Sequence, residues 1–260
     1  MNDESNFFGS AYTSYWAQRV AEGGDGTAVA GLEIARAVTA TLLADHSAET
    51  FRTTLDVGCG YGRMFPVLAD LSSEVHGLEI DPTAVELART VGYESVEIGS
   101  ATDIPHTSNT FSLLFVWAVF DAIAQARALF EFSRVLEVGG LLLLTGKNAT
   151  YCTDDTKAVE AEAGAARKHF PNHFTDVPEM IRDLSNFGLT HEAILRFERR
   201  GDFGIQRILS TEAPEKPGQV RFYEFAMLLR KVSAPPALEQ QSSNYPWDRS
   251  ASYNFLGHPE

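Results

Sequence analysis

The chain has 260 residues, 44% of them hydrophobic and 22% charged, enough apolar material for one sizeable core. With 21 basic against 35 acidic side chains, a formal charge of -14, it lacks the Lys/Arg stripes that grip a phosphate backbone or an anionic bilayer, which argues against nucleic acid and membrane as partners. Two cysteines, Cys59 and Cys152, are too few for a disulfide framework and fit a reducing, cytoplasmic setting.

The start, MNDESNFFGS, has no basic-then-apolar order of a signal peptide. The apolar run LLFVWAVF is short and closed by Asp121, so no membrane span is expected. Residues 1–50 read as a helical lead segment: aromatic YTSYWAQRV, a glycine-rich break EGGDGT, then GLEIARAVTATLLA with apolar residues at helical spacing. Strand-like and helical runs then alternate: TTLDVG, MFPVLADLS, EVHGLEI, PTAVELARTV, SVEIG, FSLLFVWAV, ARALFEFSRVLE and LLLLTG. That alternation predicts a mainly parallel sheet covered by helices on both faces. THEAILRFERR and VRFYEFAMLLRKV are strand candidates with no convincing helix between them, and predict an antiparallel pair closing the sheet. After Val232 a Pro- and Ser-rich tail keeps Tyr245, Trp247, Tyr253 and Phe255. So many aromatics predict docking, on the chain's own domain or on a second copy as a homodimer.

Within this frame LDVGCGYGRM, Leu55–Met64, packs Gly58, Gly60 and Gly62 behind an acidic residue, where a strand turns into a helix. Missing Cβ atoms there let the backbone approach a ligand. The dinucleotide fingerprint requires a third glycine at position 63, which is Arg63. No Gly-Lys-Ser/Thr follows either, so the loop is not a phosphate-cradling P-loop. Asp56, two residues before the first glycine, would repel a pyrophosphate but suits a ligand carrying an ammonium group beside its carboxylate.

LDVGCGYGR resembles the first motif of the class I S-adenosylmethionine-dependent methyltransferases, and the following segments resemble that family's later motifs over roughly residues 50–232. The resemblance implies a Rossmann-like, doubly wound, mainly parallel seven-stranded α/β sheet. It divides the chain into a lead or lid segment at 1–50, a cofactor-binding domain at 51–232 and a tail at 233–260. It implies S-adenosylmethionine as cofactor, with Asp56, Gly58, Cys59, Gly60 and Gly62 around its methionine end. Glu79, followed by Ile80, would take the ribose hydroxyls; Asp81, the alternative acid, looks like the turn into the next helix. Ser100 and Ala101 would lie at the adenine edge, with Ser100 where many relatives carry Asp. Val116 and Trp117 would lie near the sulfonium. Two further departures, Ser112 for a common Asp and Ala122 for a common His, remove any borrowed acid or base.

Tyr12, Tyr15, Trp16 and Arg19 are candidates for a lid over the acceptor. His169 and His173 are the candidate general base for a hydroxyl acceptor. No metal site is expected, since no Cys/His cluster occurs and Asp154 and Asp155 read as caps of the helix after them. The Asn/Asp-Pro-Pro-Tyr/Phe signature of nucleic-acid amino methylation is missing. The expected activity is therefore methyl transfer to a small-molecule acceptor, oxygen ahead of nitrogen or carbon, leaving S-adenosylhomocysteine. A non-catalytic protein that binds the cofactor or its product and acts through a partner is the alternative.

Overall fold

The structure, a computed structural model, describes residues 28–46, 50–152, 154–167, 172–200, 221–235 and 245–248. Helix α1, Ala28–Leu42, is followed by strand β1, Phe51–Val57, helix α2, Phe65–Leu68, β2, Ser72–Glu79, α3, Pro82–Ala88, β3, Ser95–Ile98, and β4, Phe111–Val116. Then come α4, Gln125–Val135, β5, Leu136–Asn148, α5, Thr156–Arg167, β6, Phe174–Thr175, α6, Val177–Asp183, β7, Leu189–Phe197, and β8, Glu224–Lys231. They form one sheet in the order β3-β2-β1-β4-β5-β8-β7, with β6 paired to the end of β5. The order runs outward from β1 in both directions. All pairings are parallel except those of β8, which runs antiparallel to both β5 and β7.

The central strands are nearly all apolar because both of their faces are covered. Five of the six residues of β4, FSLLFV, are buried. On one face Leu114, Leu142, Leu144 and Met227 pack with α4 and α6. On the other Leu113, Phe115, Leu143 and Leu228 pack with α1 and the first turns after β1. Ala128, Leu129, Phe132 and Val135 supply the buried stripe of α4 at helical spacing. Asp81 caps α3, accepting from Thr83 N at 2.8 Å with Pro82 in the first turn.

The expected sheet and its antiparallel end are present, together with a strand of two residues, β6, that no sequence period announces. The reversed strand is β8 alone, inserted between β5 and β7. Tyr245 and Trp247 of the tail are buried in the chain's own core against Phe187. Trp247 Nε1 donates to Asp183 Oδ2 at 2.9 Å. Tyr12, Tyr15, Trp16, Arg19, His169, Tyr253, Phe255 and the β7–β8 connection at 201–220 lie outside the described residues. Among the described residues no helix is long and apolar enough to cross a membrane.

Candidate active site

The chain leaves β1 through three residues of positive φ, Gly58 at 68°, Gly60 at 54° and Gly62 at 88°. A Cβ on Gly58 would stand 2.4 Å from Val119 Cγ2, and one on Gly62 would stand 2.9 Å from Val91 Cγ2. Packing therefore requires these two glycines. A Cβ on Gly60 would meet no atom of the described residues within 4 Å, so the middle glycine borders open space. The loop is held over the end of β2 by Gly58 N and Cys59 N, which both donate to Leu78 O at 2.7 and 3.1 Å.

Glu79 closes β2 beside it. Its Oε2 accepts from Gly60 N at 2.9 Å, and its Oε1 accepts from Ile80 N at 2.8 Å and Asp81 N at 3.0 Å. Two carboxylate oxygens offer about four acceptor sites, so this fixed carboxylate keeps capacity for a further donor. Asp56 is buried, with Tyr93 Oη donating to its Oδ2 at 2.7 Å. Burial raises its carboxyl to about 7; Glu79 adds to the rise, while the Tyr93 hydrogen bond and the Arg63 charge oppose it. Burial and the carboxylates of Asp56 and Glu79 also push the Cys59 thiol up, leaving a packed, unreactive sulfur close to Gly77. Tyr93 was not singled out from sequence, because nothing local marks a tyrosine 37 positions from its partner.

At the ends of the neighbouring strands, Ser100 Oγ accepts from Thr102 N at 3.2 Å, and Ala101 is buried. Ile80 is half-buried. Val116 is buried and Trp117 stacks on Phe115, ring centroids 5.7 Å apart and 5° from parallel. Ala118 takes a φ of 58° and donates its N–H to Thr145 Oγ1 at 2.8 Å, which turns the chain sharply at the end of β4. Ser112 bridges strands instead of offering an acid, its Oγ donating to Thr53 O at 2.9 Å and accepting from Thr53 N at 3.1 Å.

A second polar group lies past the ends of β4 and β5. Lys147 on β5 is 3.0 Å from Asp121 Oδ2 and 3.1 Å from Glu162 Oε1. The two carboxylates raise its pKa against the opposing effect of burial. Tyr223 Oη donates to Glu162 and accepts from Arg200 Nη1 at 3.1 Å. His173 is buried, and its backbone N–H donates to Asp121 O at 2.6 Å. Burial lowers the imidazole pKa, with the carboxylates of Asp248 and Asp121 opposing it, and Nδ1 has no hydrogen-bond partner. Adjacent strands lie about 4.8 Å apart, so the β5 end stands roughly 10 Å from the glycine loop on β1. Of this group only His173 was a sequence candidate; the others come from five separate elements with no shared motif. Asp155 caps α5, accepting from Ala158 N at 3.1 Å, and Asp154 pairs with Arg199. Among the described residues no group of three His, Cys, Asp or Glu is placed to hold a metal ion.

The loop fits a nucleoside-bearing amino acid better than a dinucleotide: one glycine facing open space, a fixed carboxylate with spare acceptor sites, and a buried acid at the end of the strand before it. Residues 55–144 match the family model of a methyltransferase domain. No curated protein sequence matches the chain. A solved S-adenosylmethionine-dependent methyltransferase from Thermotoga maritima is similar over 85% of this chain and 100% of its own, at 17% identity and a TM-score of 0.59. The Burkholderia thailandensis 1,6-didemethyltoxoflavin-N1-methyltransferase, solved with 1,6-didemethyltoxoflavin and S-adenosylhomocysteine, is similar over 87% of this chain and 89% of its own, at 15% identity and a TM-score of 0.57. The 4+2 cyclase SpnF is similar over 76% of this chain and 81% of its own, at 15% identity and a TM-score of 0.52. At these identities the likeness is one of fold, and folds host more than one chemistry.

Proposed function

On the premise that residues 55–144 are a methyltransferase domain of the class I S-adenosylmethionine-dependent type, we propose that the chain methylates a hydroxyl oxygen of a small molecule. The observation that carries this reading is the glycine loop locked to Glu79, with Gly60 opening on free space. Asp56, Gly58, Cys59, Gly60 and Gly62 hold the methionine end of S-adenosylmethionine, and Glu79 with Ile80 takes the ribose. Ser100 and Ala101 border the adenine, and Val116 and Trp117 wall the sulfonium. The cofactor supplies an electrophilic methyl group.

The protein's share is positioning and one proton. Holding acceptor and methyl donor at near-attack distance provides much of the acceleration. His173 supports oxygen as the acceptor atom: burial keeps its imidazole neutral, and the unpartnered Nδ1 is free to take a hydroxyl proton. A neutral amine would attack without such a base. His169, Tyr12, Tyr15, Trp16 and Arg19 keep their proposed places as base partner and lid.

The test is turnover with a deuterated-methyl cofactor across hydroxyl, amine and carbon acceptors, following S-adenosylhomocysteine and locating the label by mass spectrometry. Label on oxygen, with turnover falling about a hundredfold or more in His173→Gln, is the expected result. Label on nitrogen or carbon overturns the oxygen assignment.

A further inference from the structure

The polar group past β4 and β5 is one donor short. Glu162 already accepts from Lys147 at 3.1 Å, from Asn172 Nδ2 at 2.5 Å and from the Tyr223 hydroxyl. Lys147 is shared between Glu162 and Asp121, and Arg200 Nη1 is committed to Tyr223 Oη, 3.9 Å from Glu162. Glu224 opens β8 directly across from Lys147 on β5 and from Phe197 on β7. Its Oε2 is buried and accepts no hydrogen bond. Among the described residues the charges that act on Glu224 are the carboxylates of Asp121 and Glu162 and the cations Lys147 and Arg200, so an ionised Glu224 has no cation of its own and its Oε2 is an empty acceptor. A buried acceptor without a donor is costly, and a ligand that brings both a donor and a positive charge removes both deficits.

We infer that the methyl acceptor carries a protonated nitrogen and that this ammonium docks on Glu224. The inference rests on the methyltransferase reading above and adds the substrate class: a hydroxyl-bearing amine, its nitrogen on Glu224 and its hydroxyl toward His173. The backbone hydrogen bond from His173 to Asp121 ties the two subsites together. An organic cation fits better than a metal ion, since no metal-holding group of three exists among the described residues. Burial, with Asp121 and Glu162 adding to it and Arg200 and Lys147 opposing it, raises the Glu224 carboxyl to about 7. At that value an approaching ammonium decides its charge state.

The test uses the full chain saturated with S-adenosylhomocysteine and two matched probe series: tyramine, p-cresol and p-hydroxyphenylacetate, and ethanolamine, ethanol and glycolate. Affinities are measured by saturation-transfer NMR. In at least one series the ammonium member binds about tenfold or more tightly than its neutral and anionic counterparts, as a charge-assisted bond to a buried carboxylate implies. Glu224→Gln erases that preference without moving the melting temperature or S-adenosylhomocysteine affinity. Glu224→Asp, which keeps the charge, retains the preference, as does Glu86→Gln at an exposed site. Binding by no probe, a neutral or anionic probe ranked first, or a preference that survives in Glu224→Gln overturns the inference while leaving the cofactor reading intact. Failure of the parent protein to bind S-adenosylhomocysteine overturns both.

Discussion

Asp56 is the residue whose ionisation the cofactor should control. Its carboxyl lies at 3.8 in an open chain and about 7 in the folded one, so the folded state holds this proton more tightly. The stability that follows is full below pH 3.8 and is lost as pH rises through about 7. An ammonium group placed beside Asp56 favours the carboxylate instead. Binding of S-adenosylhomocysteine near pH 6 should therefore release a proton, with affinity rising about tenfold between pH 6 and 8. Asp56→Asn should flatten the rise. Calorimetry in buffers of different ionisation heat reads both effects, and a proton count of zero in the parent protein would remove Asp56 from the site. The loop glycines separate in the same way. Gly60→Val fills space that no atom of the described residues occupies, so it should abolish S-adenosylhomocysteine binding in a protein that still unfolds cooperatively, a few degrees lower. Gly58→Ala drives a Cβ into Val119 at 2.4 Å with φ at 68°, and should cost roughly 2–4 kcal/mol of stability. Glu79→Ala should weaken binding by on the order of 1–3 kcal/mol.

At the scale of elements, residues 245–248 of the tail pack as part of the domain. Helix α4 has no side-chain cap of its own at Ala124, and its first-turn N–H at Ala126 is met by Asp248 Oδ2 from the tail at 3.0 Å. Trp247, fully buried, anchors that contact. Trp247→Ala should therefore cost about 3–5 kcal/mol and Asp248→Ala about 0.5–2 kcal/mol, measured by urea unfolding. An unchanged midpoint in Trp247→Ala would mean that the tail does not dock in solution. The sequence foretold docking from aromatic content but could not say where, since burial of Tyr245 and Trp247 depends on Phe187, some sixty positions away. The sheet was easier to read. Each central strand is an apolar run between helical periods, and Pro82 marked Asp81 as a cap, which left Glu79 as the acid facing the loop. Two-residue β6 carries no period to read, and the reversal of β8 alone follows from its insertion between β5 and β7, a matter of pairing.

Across the whole molecule the order β3-β2-β1-β4-β5 places the glycine loop where strand order turns back on itself, between β1 and β4, and ligands of open α/β sheets bind in that crevice. This is why the cofactor was legible in ten residues: the local motif and the global switch point coincide. The proposed acceptor side was illegible for the opposite reason. Asp121, Lys147, Glu162, Arg200 and Glu224 become neighbours only when the ends of β4, β5, β7 and β8 and the helix α5 converge. Since β1, β2 and β4 all end at the crevice, a ligand there should stabilise the domain as a whole. One-site linkage gives about 2.7 kcal/mol at a concentration 100 times the dissociation constant, and about 2–4 °C per kcal/mol in a chain near this size. S-adenosylhomocysteine at that excess should raise the melting temperature by about 5–10 °C. The oxidised nicotinamide dinucleotide at the same concentration should leave it unmoved, because Arg63 replaces its third glycine and Asp56 repels its pyrophosphate. An equal rise with both would mean that the loop recognises only the adenosine they share, and that neither Asp56 nor the spacing of Gly58, Gly60 and Gly62 selects the cofactor.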